Sequence, residues 1–508
     1  MSRRPKAKPR TAQHRPAARR RRFRHDDLVA VDLFSGFGGL TQGIQRAGFT
    51  TIMAANHNAY KVEVHEANHP DADHWIADLV DPDSSDYHSA RDLPPADLLV
   101  AGVSCVNHSQ ANTQKAYAQG ISLFDLDDPE FDARVTRSER DRATANCVLH
   151  YAAEHHPLLI LVECTTELQS WGPALAGKPK VGDGSTYRWW LKQFNSLGYR
   201  YRVLYLNSMF FGVPQSRDRL YVAFWDRKLP TPDLDHRPAA WCGRCDEVVE
   251  SVWTWKTGIP PTGSVRYGKQ YRYTCSRCRG EVIPAATPSI QAIDLSNLGT
   301  RIGDRDKPLA PATMARAERC RQRFAEFPAV LMPSKAVRGS ERHPWQPMAI
   351  PGLLTAAGLV QYNQGVDRRV SGVDRPLKTV VADNHMGLLF SGWFKQHGSV
   401  PGQFPAPHPL SDPLGAITSH DTTSLLTAEW HAALADLSLE DCYFRMMAAH
   451  EVGRGCGFDV DFAEHQGTFI VWGSAREQVD GFGNAVSPQV GHWIGDRLRA
   501  VLHGEVAA

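Results

Sequence analysis

From residue 28 to about residue 225, short apolar runs alternate with helical stretches, and this alternation restricts the architecture more than any other feature. Leu28 to Leu33 reads as a buried strand. A turn with Gly36, Gly38 and Gly39 follows it, and then a helical stretch, LTQGIQRAGF. Further strands are expected over Thr51 to Ala55 and at 97–102 (DLLVAG), 158–163 (LLILVE), 201–207 (YRVLYLN) and 219–224 (RLYVAF). Helical stretches fit between most of them. Strands separated by helices build a doubly wound α/β domain, whose ligands sit outside the C-terminal ends of the strands. A glycine turn at a helix N-terminus fits ligand binding, because free backbone N–H groups face outward there. On its own it equally fits a tight turn needed only for helix packing.

The alternation stops near residue 230. The following stretch is rich in Pro, Gly, Trp and Tyr and has few long helical patterns. It contains a weak internal repeat: DRPLKTVVADNHMGLL at 374–389 resembles SDPLGAITSHDTTSLL at 411–426, with DKPLAPAT at 306–313 as a partial third copy. Short strands and turns in a second domain of mixed character are expected. Helices return from about residue 440, ending in a loop, GFGNAVSPQV, and a last helix, GHWIGDRLRAVLHG, expected to pack back on the first domain. The division is a basic tail at 1–25, a first domain at 26–235, an insert at 236–435 and a closing part of the first domain at 436–508. A length of 508 residues agrees with two to four domains at roughly 150 residues each.

A formal net charge of +2 conceals strong segregation. Residues 1–25 carry nine Arg and two Lys with no acid, and residues 241–400 carry 22 basic and 13 acidic side chains. The rest of the chain is therefore acidic. Segregated blocks point to a polyanionic partner that meets part of the surface. The tail lacks the apolar content to order itself. A free solvated extension and a nucleic-acid arm both fit it. No run of eighteen apolar residues occurs, so no spanning helix and no membrane partner are expected. No charged-then-apolar leader is present, so a cytoplasmic location is expected.

Ten cysteines are too sparse for a disulfide scaffold. Four of them form two C-x-x-C pairs, Cys242/Cys245 and Cys275/Cys278, with 29 residues between. Around them lie Trp253, Trp255, Tyr267, Tyr271 and Tyr273. This pattern resembles a zinc ribbon, in which four thiolates close a tetrahedral structural site. The alternative is four unrelated buried thiols. Cys147, Cys164, Cys320, Cys442 and Cys456 show no such spacing and read mostly as small buried hydrophobes. Cys164, beside Glu163, is placed to line a site. The 22 His are scattered, without metal-ligand spacing.

Five segments, taken in order, resemble the DNA cytosine-5 methyltransferase family. These are VDLFSGFGGL at 31–40, DLLVAGVSCVNHSQ with Cys105, LLILVECTTEL with Glu163, VPQSRDRLY with Gln215, Arg217 and Arg219, and GFGNAVSPQV with Asn484 and Val486. YFRMMAAHEVGRGCGF at 443–458 is similar to the motif that precedes that ending. The chain departs from the family where Pro-Pro is replaced by Val103-Ser104, where Glu-Asn-Val becomes Glu163-Cys164-Thr165, and where His57 stands in place of the usual ribose-binding acid.

The resemblance implies a Rossmann-like S-adenosylmethionine-dependent methyltransferase domain. An inserted target-recognition domain would carry the four-cysteine zinc knuckle at 242–278. It implies Cys105 as nucleophile, Glu163 as acid, and Arg217 and Arg219 as positioners of the base. It implies Phe34, Gly36, Gly38, His57, Asp78, Asn484 and Val486 as contacts for S-adenosylmethionine. Asp78 alone reads equally as a helix cap or a solvated acid. The expected reaction is methyl transfer to carbon 5 of cytosine in duplex DNA, by a monomer, with a cognate restriction endonuclease as a further partner. The residue types suit that chemistry independently: a thiolate adds to C6 and can leave again, a buried acid donates toward N3, and a stacked base must be flipped out to be reached. Alternatives are a DNA-binding homologue without activity, a tRNA methyltransferase, and transfer of a group larger than methyl.

Overall fold

A computed structural model describes residues 26–81, 83–103, 144–175, 178–258, 262–294, 297, 299–326, 358–361, 377–378, 386–389, 392–395, 423–427, 438–462 and 465–504. Cys105, Ser104 and the basic tail lie outside the described residues.

A seven-stranded sheet forms the centre. Its strands are β1 (Leu28–Leu33), β2 (Phe49–Asn56), β3 (Asp73–Ile76), β4 (Leu98–Gly102), β5 (Leu159–Cys164), β6 (Tyr199–Asn207) and β7 (Asp218–Asp226). The order across the sheet is β3-β2-β1-β4-β5-β7-β6. β1 to β5 are parallel, whereas β7 runs antiparallel between β5 and β6. Every strand expected between residues 28 and 225 is present, with ends shifted by a residue or two, and Asp73–Ile76 was not anticipated. It is four residues long, opens on Asp73 and His74, and buries none of its side chains fully, so it gives no apolar run to read.

The strand residues alternate between two cores, as the period of two demands. Val31, Leu99, Ala101, Ile160, Val162, Val222 and Phe224 face one core with the helix at 144–155, here α3, and α4 (Ser185–Ser196). Ala30, Leu98, Val100, Leu159, Leu161 and Ala223 face the other with α1 (Gly39–Arg46) and the last helix, Pro488–Leu502. Burial on both faces explains why these strands read as unbroken apolar runs. β1 and β4 are neighbours, and the chain winds outward from them in opposite directions. The crevice at their C-terminal ends is thus the topological switch point. α2 (Ala59–Asn68) lies after β2.

The four cysteines belong to a small antiparallel sheet in the order β8 (Ala239–Cys242), β9 (Glu247–Trp255), β10 (Tyr271–Cys275), β11 (Glu281–Val282). A third sheet runs from Thr300–Arg301 through Tyr443–Met446, Thr423–Thr427, Gly392–Lys395 and Met386–Leu389 to Gly358–Gln361. α5 (Pro311–Glu326) accompanies it. The two full copies of the repeat each supply a strand to this sheet, at 386–389 and 423–427. The third partial copy does not: its end is the first turn of α5.

Three expectations are corrected. Tyr443–Met446, expected among returning helices, is a strand of the third sheet, so the insert and the closing segment share one sheet. Gly481–Asn484, expected as loop, ends α7 (Ala475–Asn484); α6 is Ala449–Gly455. The final helix, α8 (Pro488–Leu502), starts earlier than read, with Pro488 in its first turn. Proline tolerates that position because its missing N–H has no partner there anyway. α8 packs back on α1, as expected.

Candidate active site

The glycine turn lies at the C-terminal end of β1. Phe34, Gly36 and Gly38 all have positive φ, of 60°, 56° and 80°. Two of these are glycines because a side chain there is strained, and Phe34 holds the strained conformation as a non-glycine. A Cβ on Gly38 would lie 2.7 Å from His69 Nε2, and one on Gly39 would lie 1.9 Å from the backbone oxygen of Val486. The turn is therefore clamped between α2 on one side and the closing segment on the other. Over Gly36 a Cβ would meet nothing nearer than 4.0 Å, so the turn is open there and forms the floor of a cradle.

Around that cradle, His57 is exposed at the end of β2. Asp78, buried after β3, accepts the N–H groups of Val80 and Asp81 at 2.9 and 3.1 Å. It thus forms a turn, neither the helix cap nor the solvated acid that the sequence alone allowed. Asn484 is exposed at the end of α7 and donates to Asp480 Oδ1 at 3.0 Å, while Val486 is buried.

The second half of the site lies one strand across. Glu163 is buried at the end of β5. Arg219 Nε lies 3.0 Å from its Oε1. Burial pushes the Glu163 carboxyl above its ordinary pKa, and the charges of Arg219 and Arg217 pull against that shift. Arg217 is also buried and donates to the backbone oxygen of Gly483 at 2.7 Å. It ties the arginine segment to the chain's last motif across the whole insert. Gln215 is buried, and its Nε2 lies 3.7 Å from Cys456 Sγ. Gly102 on β4 stands in register with Glu163, and Val103 N–H donates to the Glu163 carbonyl at 3.1 Å. The segment that carries Cys105 leaves β4 at this point.

Sequence reasoning passed over a polar network behind the glycine turn. Thr41 Oγ1 donates to Asp32 Oδ2 at 2.6 Å, and His65 Nε2 lies 3.0 Å from the same hydroxyl. His65 Nδ1 lies 2.7 Å from His74 Nε2, and His69 Nδ1 lies 2.8 Å from Gln45 Oε1. Burial lifts the Asp32 pKa to about 7, with the Thr41 hydrogen bond opposing. Burial also holds His65 well below its usual value and His69 at about 3. The spacing of His65 and His69, four residues apart on one helix face, was the available signal.

The four thiol sulfurs of Cys242, Cys245, Cys275 and Cys278 lie within 4.8 Å of one another. The N–H groups of Arg277 and Cys278 point at Cys275 Sγ at 3.3 and 3.4 Å. Four sulfurs on two knuckles form a set able to hold one tetrahedral metal ion. The other cysteines described, Cys147, Cys164, Cys442 and Cys456, are buried and apart from this set.

Residues 28–124 and 178–238 match the model of the C-5 cytosine-specific DNA methylase family. The chain is 25% identical over 202 residues to the Type II methyltransferase M.NgoBI of Neisseria gonorrhoeae, covering 39% of this chain and 51% of the relative. It is 24% identical over 214 residues to the Type II methyltransferase M1.ScrFI of Lactococcus lactis subsp. cremoris, covering 40% and 45%. The chain spans about half the length of these relatives. The S. pombe Dnmt2 methyltransferase structure aligns over 93% of this chain and 98% of its own, at 13% identity and a TM-score of 0.42. The matched segments hold the glycine turn, the β4 end and the arginine strand that meet in this site.

Proposed function

We propose that the chain is a DNA (cytosine-5-)-methyltransferase acting on a specific sequence in duplex DNA. One observation carries the reading: the segment bearing Cys105 leaves β4 beside a buried Glu163 that Arg219 contacts. The Cys105 thiolate adds to C6 of a flipped-out cytosine and makes C5 electron-rich, ready for the methyl group that bound S-adenosylmethionine would supply, its sulfur leaving as a neutral thioether. Loss of the C5 proton and expulsion of the thiolate restore the ring. Glu163, whose carboxyl burial pushes above its ordinary pKa, donates toward N3 and stabilises the electron-rich ring. Arg219 holds Glu163 in place, and both arginines present positive charge to the base.

S-adenosylmethionine supplies an electrophilic methyl group on a sulfonium. The open floor over Gly36 fits such a ligand. Phe34, Gly36, Gly38, His57, Asp78, Asn484 and Val486 are the residues that would hold it. His57 offers an imidazole where a ribose hydroxyl needs a hydrogen-bond partner. The four cysteines would hold a structural zinc ion, its binding energy serving as folding energy of the small sheet. The insert at 236–435, with its basic excess, reads the duplex. The enzyme acts as a monomer, in the compartment that holds the DNA, alongside a restriction endonuclease of the same specificity. None of the described helices is long and apolar enough to cross a membrane.

Bisulfite sequencing of DNA from cells expressing the protein tests the reading, with protection expected at one recurrent sequence. Cys105→Ala should abolish transfer and leave DNA binding intact, because only the covalent step needs the thiolate. Unmodified duplex DNA together with labelled RNA would move the substrate to RNA. Product formed by Cys105→Ala above background would remove the nucleophile assignment.

A further inference from the structure

We infer that Asp218 is a positioning residue, the tie through which the four-cysteine module sets the geometry of the Glu163–Arg219 pair. The inference rests on the methyl-transfer reading above.

Asp218 stands between the two site arginines at the start of β7. Neighbouring residues on a strand point to opposite faces, so Asp218 turns away from the face that Arg219 offers to Glu163. Its carboxylate Oδ1 accepts the Tyr271 hydroxyl at 2.9 Å and the Tyr267 N–H at 3.1 Å. Tyr271 is fully buried at the start of β10, four residues before Cys275, and its ring stacks on Trp253 with centroids 4.8 Å apart. Tyr267 packs edge-on against Phe210, at 4.9 Å. A carboxylate fixed by two donors on a rigid aromatic wall cannot shift without breaking those bonds. The backbone that carries Arg219 is one residue away.

The same module grips the other partner. Immediately after Glu163, Thr166 Oγ1 accepts the Val265 N–H at 3.0 Å, and Ser170 Oγ accepts the Gly263 N–H at 2.6 Å. Gln169 Nε2 donates to the Gly263 carbonyl at 2.5 Å. Trp253 Nε1 donates to the Tyr205 carbonyl on β6 at 3.1 Å. Both segments that deliver the acid and its arginine are thus bonded to one small sheet, itself closed by the four sulfurs. A module that only read DNA would have no need of bonds placed on these two segments.

The test compares Asp218→Ala, Asp218→Asn and Tyr271→Phe in the full chain. Asp218→Ala should slow single-turnover methyl transfer about tenfold, as the loss of one or two hydrogen bonds allows. Dissociation constants for target duplex and cofactor should stay within about twofold, because the change lies outside both binding surfaces. The pH–rate profile should shift, since Glu163 loses a fixed arginine contact. Asp218→Asn keeps an oxygen for both donors and should restore most of the rate. Tyr271→Phe should fall between them. Hydrogen exchange in peptides covering 160–171 and 215–226 should quicken in Asp218→Ala and Tyr271→Phe. A wild-type rate in Asp218→Ala would overturn the inference. Equal loss in Asp218→Ala and Asp218→Asn would overturn it too, by assigning the effect to charge. Should Asp218→Ala fail to fold, Tyr271→Phe carries the same comparison. A wild-type chain inactive on every cytosine substrate would count against the methyltransferase reading. The exchange measurement then decides the tie without activity, with unchanged exchange overturning it.

Discussion

In the proposed reaction Glu163 is the acid, and burial pushes its carboxyl above the ordinary pKa against the pull of Arg219. Glu163→Gln keeps the shape and an N–H donor but cannot deliver a proton. Single-turnover transfer should therefore fall about a hundredfold or more, the usual size of a general acid–base contribution. The wild-type rate should decline at alkaline pH as Glu163 ionises, and the variant should lack that decline; an unchanged profile would remove the residue from proton transfer. Behind the glycine turn, His69 makes a stability prediction. Its pKa is held at about 3 in the folded chain against 6.5 unfolded. A depressed histidine contributes stability in full above 6.5, and that contribution drains away as pH falls toward 3, because the unfolded chain takes the proton first. Asp32, raised to about 7 from 3.8, has the opposite sign: its contribution is present below 3.8 and is lost as pH rises through 7. Comparison with His69→Gln isolates the histidine. Between pH 7 and 5 the wild type should lose about 2 kcal/mol more stability than the variant, measured by urea unfolding. Equal losses would show that His69 titrates normally. At this scale Glu163 and Arg219 were legible from residue chemistry, and the structure brings the two into contact. The Asp32–Thr41–His65–His74 chain was not, because nothing in a sequence says that residues 32 and 74 meet.

Among the elements, α6 shows how a short helix is anchored. Glu451 is fully buried, and its carboxylate takes Arg445 in two parallel bonds of 2.6 and 2.7 Å. It also accepts the Ala448 N–H at 2.7 Å and the Asp294 N–H at 2.6 Å. One carboxylate thus joins the helix start, the strand at 443–446 and the segment after the four-cysteine sheet. Glu451→Ala leaves Arg445 buried and unpaired, which should cost about 3 kcal/mol or more. Thermal melting checks this; a loss under about 1 kcal/mol, the worth of an exposed pair, would mean that water replaces the carboxylate. The apolar strands of the central sheet were read from their runs, because burial on both faces leaves a continuous signal. Asp73–Ile76 was missed because a four-residue edge strand with no fully buried side chain carries no such run. Tyr443–Met446 was missed because it is four residues long and pairs on one side with Thr300–Arg301, more than 140 residues earlier.

Across the whole molecule, charge is divided rather than spread. Residues 1–25 carry eleven positive side chains, beyond the described residues. If a third of them engage phosphates, deleting them should lower the slope of log affinity against log salt by about three units, at about 0.9 per phosphate. Affinity should fall alike for target and non-target duplexes, since phosphate contacts carry no sequence information. Binding measured at several salt concentrations, for the full chain and for one starting at Asp26, checks this. An unchanged slope would make the tail a solvated extension. The sequence by itself determined the strand–helix frame, the glycine turn, the order of the motifs and the pairing of the cysteines. Each of these is written in local spacing or residue chemistry. Tertiary structure alone decided that β7 runs antiparallel between β5 and β6, and that Gly39 must be glycine because Val486 rests on it. It alone decided that the four-cysteine module grips the segments carrying Glu163 and Arg219. Those outcomes depend on contacts between residues far apart in the chain, and such contacts leave no periodic trace in the sequence.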